Sequence, residues 1–137
     1  MKNLILTLLT VFAFSFSFAQ SDASKEDAKK LKQNTVAVVD YLSSELKLDG
    51  KEKAILSNAF AEYANNISKL NEKLDAKGSK MSDKEKSKMT FEKMAEFTKL
   101  RDKNIKDVLT DSQKEKYDKI SNNFDPMTLT MKKKNKK

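Results

Sequence analysis

The feature that most constrains this chain is the run Leu56, Phe60, Tyr63, Ile67, Leu70 and Leu74. Steps of four and three residues put all six side chains on one face of an α-helix, whereas a strand would scatter them over both of its faces. The stripe predicts an unbroken helix from Gly50 to about Ala76, about 40 Å long at about 1.5 Å per residue. It is also narrow, so it must lie against other helices that carry stripes of their own.

Such stripes flank it. Ala28, Leu31, Thr35, Val38, Leu42 and Leu46 mark one face of a helix from about Ser24 to Lys47, and Val36 and Val39 are expected to widen that face. After a break at Lys77-Gly78-Ser79-Lys80, a third helix from Asp83 to Val108 carries Met94, Phe97, Arg101, Ile105 and Val108, with Met89, Phe91 and Leu100 off that line. A short fourth helix from Asp111 to about Asn122 presents Tyr117 and Ile120, and Phe124, Asp125 and Pro126 stop it. The fold class expected is all-α: long antiparallel helices in a thin, elongated hairpin or bundle, paired as a dimer.

Composition decides whether such narrow stripes can fold. Leu, Ile, Val and Phe are sparse once the N-terminal segment is set aside, which borders on the disordered class when net charge is also high. The formal charge of +8, from 28 basic and 20 acidic residues, is concentrated at the ends. Lys2 and the lysines of Lys132 to Lys137 account for most of it, so the body between them is close to balanced and can pack.

Helix starts carry the most regular local pattern. Leu48-Asp49-Gly50-Lys51-Glu52, Met81-Ser82-Asp83-Lys84-Glu85 and Leu109-Thr110-Asp111-Ser112-Gln113 each run apolar residue, capping residue, two polar residues, then Glu or Gln. In such a capping box the cap side chain accepts from the N3 amide and the N3 side chain reaches back to the cap's amide. Capping is the direct role expected of Asp49, Glu52, Ser82, Glu85, Thr110 and Gln113, with Leu48 and Leu109 packing beneath their turns.

The third of these segments is also the LTxxQ motif of the Spy/CpxP-like periplasmic proteins, which the chain resembles from about Leu46 to Phe124. Leu109, Thr110 and Gln113 match the motif, and Leu48, Asp49 and Glu52 look like a degenerate first copy with Asp for Thr and Glu for Gln. The resemblance implies a thin, curved, all-helical dimer in the periplasm. It also implies one of two functions: an ATP-independent holdase-type chaperone that binds unfolded clients, or an adaptor that restrains an envelope sensor.

The N-terminus reads as a cleavable secretory signal. Lys2 supplies the positive end, Leu4 to Phe18 an apolar stretch, and Ser17 and Ala19 the small residues of a cleavage site that would leave Gln20 first. A spanning helix needs about 20 apolar residues, more than this run offers. The expected organisation is therefore signal 1–19, helical domain 20–126 and a disordered lysine-rich tail 127–137, with a periplasmic or secreted location.

For chemistry the residue inventory is poor. There is no histidine to act as a base near neutral pH and no cysteine to act as thiolate or soft metal ligand. The carboxylates stand among lysines at helix-pair spacing, as a solvated face requires. An enzyme, a bound cofactor and a resident metal are not expected. Nucleic acid is not expected either, since Arg101 is the sole arginine and no aromatic alternates with the tail lysines. Met89, Phe91, Met94 and Phe97 on the third helix are either core or a client-binding surface. Lysines around them would draw acidic or unfolded client proteins, or an envelope protein. The tail from Lys132 to Lys137 is a solvated end or a contact to an anionic surface.

Overall fold

A computed structural model describes residues 22–78 and 80–132, with side chains from Lys25 onward. The segment 1–19 expected as a signal, the cleavage expected after Ala19 and residues 133–137 of the tail lie outside the described residues.

The described chain is helical, as expected: α1 Asp22–Glu45, α2 Gly50–Ala76, α3 Asp83–Lys106 and α4 Asp111–Ser121. α2 is the central element and packs against both α1 and α3. Near the α1–α2 turn Asp40 pairs with Lys53 at 2.9 Å, while the beginning of α1 lies beside the end of α2. The stripe of α2 is deeply buried, with Leu56, Phe60, Tyr63 and Ile67 each 1% exposed or less. Its last member, Leu74, is half-buried at the edge of the core.

On α1 the buried face is Leu31, Thr35, Val38, Val39, Leu42 and Leu46. Val39 widens it as expected, but Val36 is 53% exposed. Position 36 lies about 60° further round the helix than Val39, beyond the reach of α2. α3 buries Met94, Arg101 and Ile105, and α4 buries Tyr117 and Ile120.

α1 ends in a Schellman turn. The Leu48 amide donates to the Ser43 carbonyl at 3.0 Å and the Lys47 amide to the Ser44 carbonyl at 3.2 Å, with Lys47 in the left-handed region at φ 53°. α3 ends at Lys106, two residues before the expected Val108, because Val108 and Leu109 donate to Ile105 and Lys106 in a tightened turn that leads into the Thr110 cap.

The expectation of a disordered tail from residue 127 is corrected for residues 127–132. Phe124 and Met131 form an antiparallel bridge, Asp125 and Lys132 donate their amides to Thr130 and Asn123, and Leu129 is 2% exposed. Asp125 Oδ1 accepts from the Met127 and Thr128 amides, which turns the chain, and Leu129 at φ 55° directs its side chain into the core. This C-terminal strap crosses α1 and α2: the Asn34 amide donates to the Thr128 carbonyl, the Tyr63 hydroxyl donates to the Pro126 carbonyl at 2.6 Å, and the Tyr41 ring meets Phe124 edge-on.

Candidate functional site

The three capping segments behave differently in space. At Ser82 the box is closed, with the Glu85 amide on Ser82 Oγ at 3.3 Å and the Ser82 amide on Glu85 Oε2 at 2.8 Å. The Ser82 amide and the Ser82 hydroxyl, the latter at 3.0 Å, donate to Glu85 Oε2 and hold this exposed carboxyl below its usual value. At Thr110 it is closed too, at 3.2 Å from the Gln113 amide and 2.9 Å to Gln113 Oε1. At Asp49 only half forms: the Glu52 amide donates to Asp49 Oδ1 at 2.8 Å, without the return bond. Closing that box would set the Glu52 carboxylate beside the Asp49 carboxylate, and like charges oppose it.

The LTxxQ segment does more than cap. Gln113 Nε2 donates to the Leu46 carbonyl at 3.1 Å, and Lys116 Nζ donates to the Glu45 carbonyl at 2.6 Å. The Schellman turn already occupies the carbonyls of Ser43 and Ser44, so these bonds satisfy the next two acceptors at the end of α1. A lysine there also complements the negative end of the helix. Leu109 is buried and Leu48 packs against the core, so the Leu48 and Leu109 capping segments meet around one helix end.

Beside this junction lies a buried polar knot. The Arg101 guanidinium is 4.5 Å from the centroid of Tyr63 and 5.1 Å from that of Phe60, and it pairs with Asp102 Oδ1 at 2.9 Å. The Tyr117 hydroxyl donates to the same oxygen at 2.7 Å. Burial raises the phenols of Tyr63 and Tyr117, against the opposing pull of Arg101. The knot ties α2, α3 and α4 together.

Of the four α3 residues read as either core or a client-binding surface, most belong to the core. Met94 is core, which removes it from the candidate client-binding residues, and Met89 and Phe97 are half-buried against the core. Phe91 alone is open, at 77% exposed. Leu100 is also exposed, but nine residues are about two and a half turns, so the two project from opposite sides of α3.

The site that sequence reasoning missed is a groove. Between the first half of α1 and the last turns of α2, closed at one side by the strap, lies an open trough of about 620 Å³. Ala28, Leu31, Leu74 and Met127 supply apolar surface, and Asn34, Asn71, Thr128 and Thr130 supply hydrogen-bonding groups. The carboxylates of Asp27, Glu72 and Asp75 also line it. The one signal available in sequence was the alternation of Met127, Leu129 and Met131 with threonines, which a wholly solvated end does not need.

Among the described residues no group of three or more His, Cys, Asp or Glu is placed to hold a metal ion, and no helix is long and apolar enough to cross a membrane. Compared with models of known protein families, with curated proteins and with solved structures, the chain matches none.

Proposed function

We propose that this chain is a non-enzymatic polypeptide-binding protein of the cell envelope, a holdase-type chaperone like those of the Spy/CpxP-like proteins it resembles, which holds unfolded segments in the α1–α2 groove. The observation that carries this reading is the groove itself: apolar surface from Leu31, Leu74 and Met127 beside Asn34, Asn71, Thr128 and Thr130, whose oxygens keep acceptor capacity for an extended backbone although the Asn34 amide donates to the Thr128 carbonyl and the two hydroxyls bond each other. A groove that offers both serves many sequences, because backbone is common to all clients. In this reading the signal is removed after Ala19, the working unit is a thin, elongated homodimer of antiparallel helices, and no cofactor or nucleic acid takes part.

A second reading, an adaptor for one envelope protein, is favoured by the carboxylates of Asp27, Glu72 and Asp75 along the groove, which select neutral or basic segments. An aggregation assay with two unrelated unfolding clients separates the two. The chaperone should delay both at stoichiometric ratio, and Leu74→Ser with Met127→Ser should abolish the delay while helicity is kept. Full protection by that double variant would refute the groove. No protection by the wild type would leave the adaptor.

A further inference from the structure

α3 carries a ridge that neither the core nor the groove uses. Lys84, Lys88, Phe91, Ala95 and Lys99 follow at steps of four, three, four and four residues, and all five are exposed. They stand in line along about 22 Å of one helix face, with the phenyl ring near the middle and lysines on both sides. Phe91 is the most exposed large apolar side chain among the described residues, at 77%. Of the nearby acidic groups, Glu85 is held in the Ser82 cap, Glu96 pairs with Lys93 at 2.9 Å and Asp102 turns inward to Arg101, while Asp83 stays exposed and Glu92 meets Lys88 only at 3.9 Å, a solvated pair that a phosphate can replace.

We infer that this ridge docks the protein onto the surface of a bilayer that contains anionic phospholipid. The ring enters the boundary between headgroups and acyl chains, and Lys84, Lys88 and Lys99 meet the phosphates. Stable attachment to a bilayer takes an apolar and a basic element together, and the ridge supplies both. Because the body is close to charge balance, it is the lysines of the ridge, with those of Lys132 to Lys137 at the chain end, that bring the protein to such a surface before contact. The shape argues for lipid over a folded protein: one convex helix with a single protruding ring offers no rim to exclude water around a hot spot, whereas a fluid interface closes around the ring by itself. The contact is peripheral, since no described helix can span a membrane.

The chain has no tryptophan, so Phe91→Trp makes a single fluorescent reporter of the ridge. With vesicles of equal parts phosphatidylglycerol and phosphatidylcholine its emission should shift to the blue, and with phosphatidylcholine alone it should not. Phe91→Ser should lower co-sedimentation with the anionic vesicles about tenfold, and Lys84→Gln with Lys88→Gln about twentyfold, both with unchanged helicity. Leu74→Ser with Met127→Ser should leave vesicle binding as it is, which keeps this inference separate from the groove. Three outcomes overturn it: no blue shift on anionic vesicles, an equal shift with polyglutamate that would make the ridge a site for acidic polypeptide, or binding that survives the ridge substitutions and disappears on deletion of Lys133 to Lys137.

Discussion

The side-chain amide of Gln113 bridges two helices: its nitrogen lies 3.1 Å from the Leu46 carbonyl at the end of α1, and its oxygen accepts from the Thr110 amide at the start of α4. One residue thereby completes a cap and closes a tertiary contact across 67 positions of chain.

Replacement of Gln113 by Glu separates these roles. The carboxylate can still accept from Thr110, but it cannot donate to Leu46 and it sets a negative charge against the negative end of α1. Gln113→Glu should therefore destabilise by about 1–2 kcal/mol, no less than Gln113→Ala, while Thr110→Ala costs about 1 kcal/mol. Urea midpoints measure all three. A Gln113→Glu midpoint equal to wild type would mean that the Leu46 bond contributes nothing.

The α1–α2 turn has its glycine in the wrong place for stability. Lys47 holds φ 53°, where a side chain is strained, while Gly50 sits in right-handed helix with nothing within 4 Å of an added Cβ. Lys47→Gly should stabilise by up to about 1 kcal/mol and Gly50→Ala by about 0.4–1 kcal/mol. Thermal midpoints should rise for each, and nearly additively. A fall for Gly50→Ala would show that the α2 start is less regular than its geometry here.

Arg101 is held by its planar shape as much as by its charge. Lysine in its place keeps the charge but loses the stacking on Tyr63 and Phe60 and the two nitrogens on Asp102. Arg101→Lys should cost about 2 kcal/mol and Arg101→Ala about 3 kcal/mol, since the latter also leaves a cavity beside a half-buried carboxylate. Rescue of Arg101→Ala by Asp102→Asn, read in the same unfolding assay, would locate part of that loss in the orphaned charge.

Alkaline pH should unfold the protein through its buried phenols. Folding raises Tyr63 and Tyr117 above their unfolded value of about 10, so both are stabilised in the protonated form. That contribution is present in full below about pH 10 and is lost as pH rises towards the raised folded values. Phenolate absorbance for these two rings should appear together with loss of helical ellipticity, and Tyr117→Phe should reduce the alkaline sensitivity although it removes the bond to Asp102. Ionisation of both rings with helicity intact would contradict their burial.

Helix identity is a local property, which is why the sequence by itself determined it. The steps of three and four from Leu56 to Leu74, and the caps at Asp49, Ser82 and Thr110, act within a turn or two of chain, and α2 begins and ends where they say. What those elements do beyond their own length depends on partners far away in sequence. No local rule tells that the Gln113 amide finds Leu46, that the Thr128 carbonyl finds Asn34, or that Phe91 stays in solvent while Met94, three residues on, enters the core. Leu129 is the clearest case: two residues from an exposed Met131 and close to a run of lysines, it joins the core from a left-handed backbone position in the strap, which no local rule predicts. A stripe narrow enough to be read from sequence covers only one side of its helix, and tertiary packing decided which remaining surface became groove, strap or ridge.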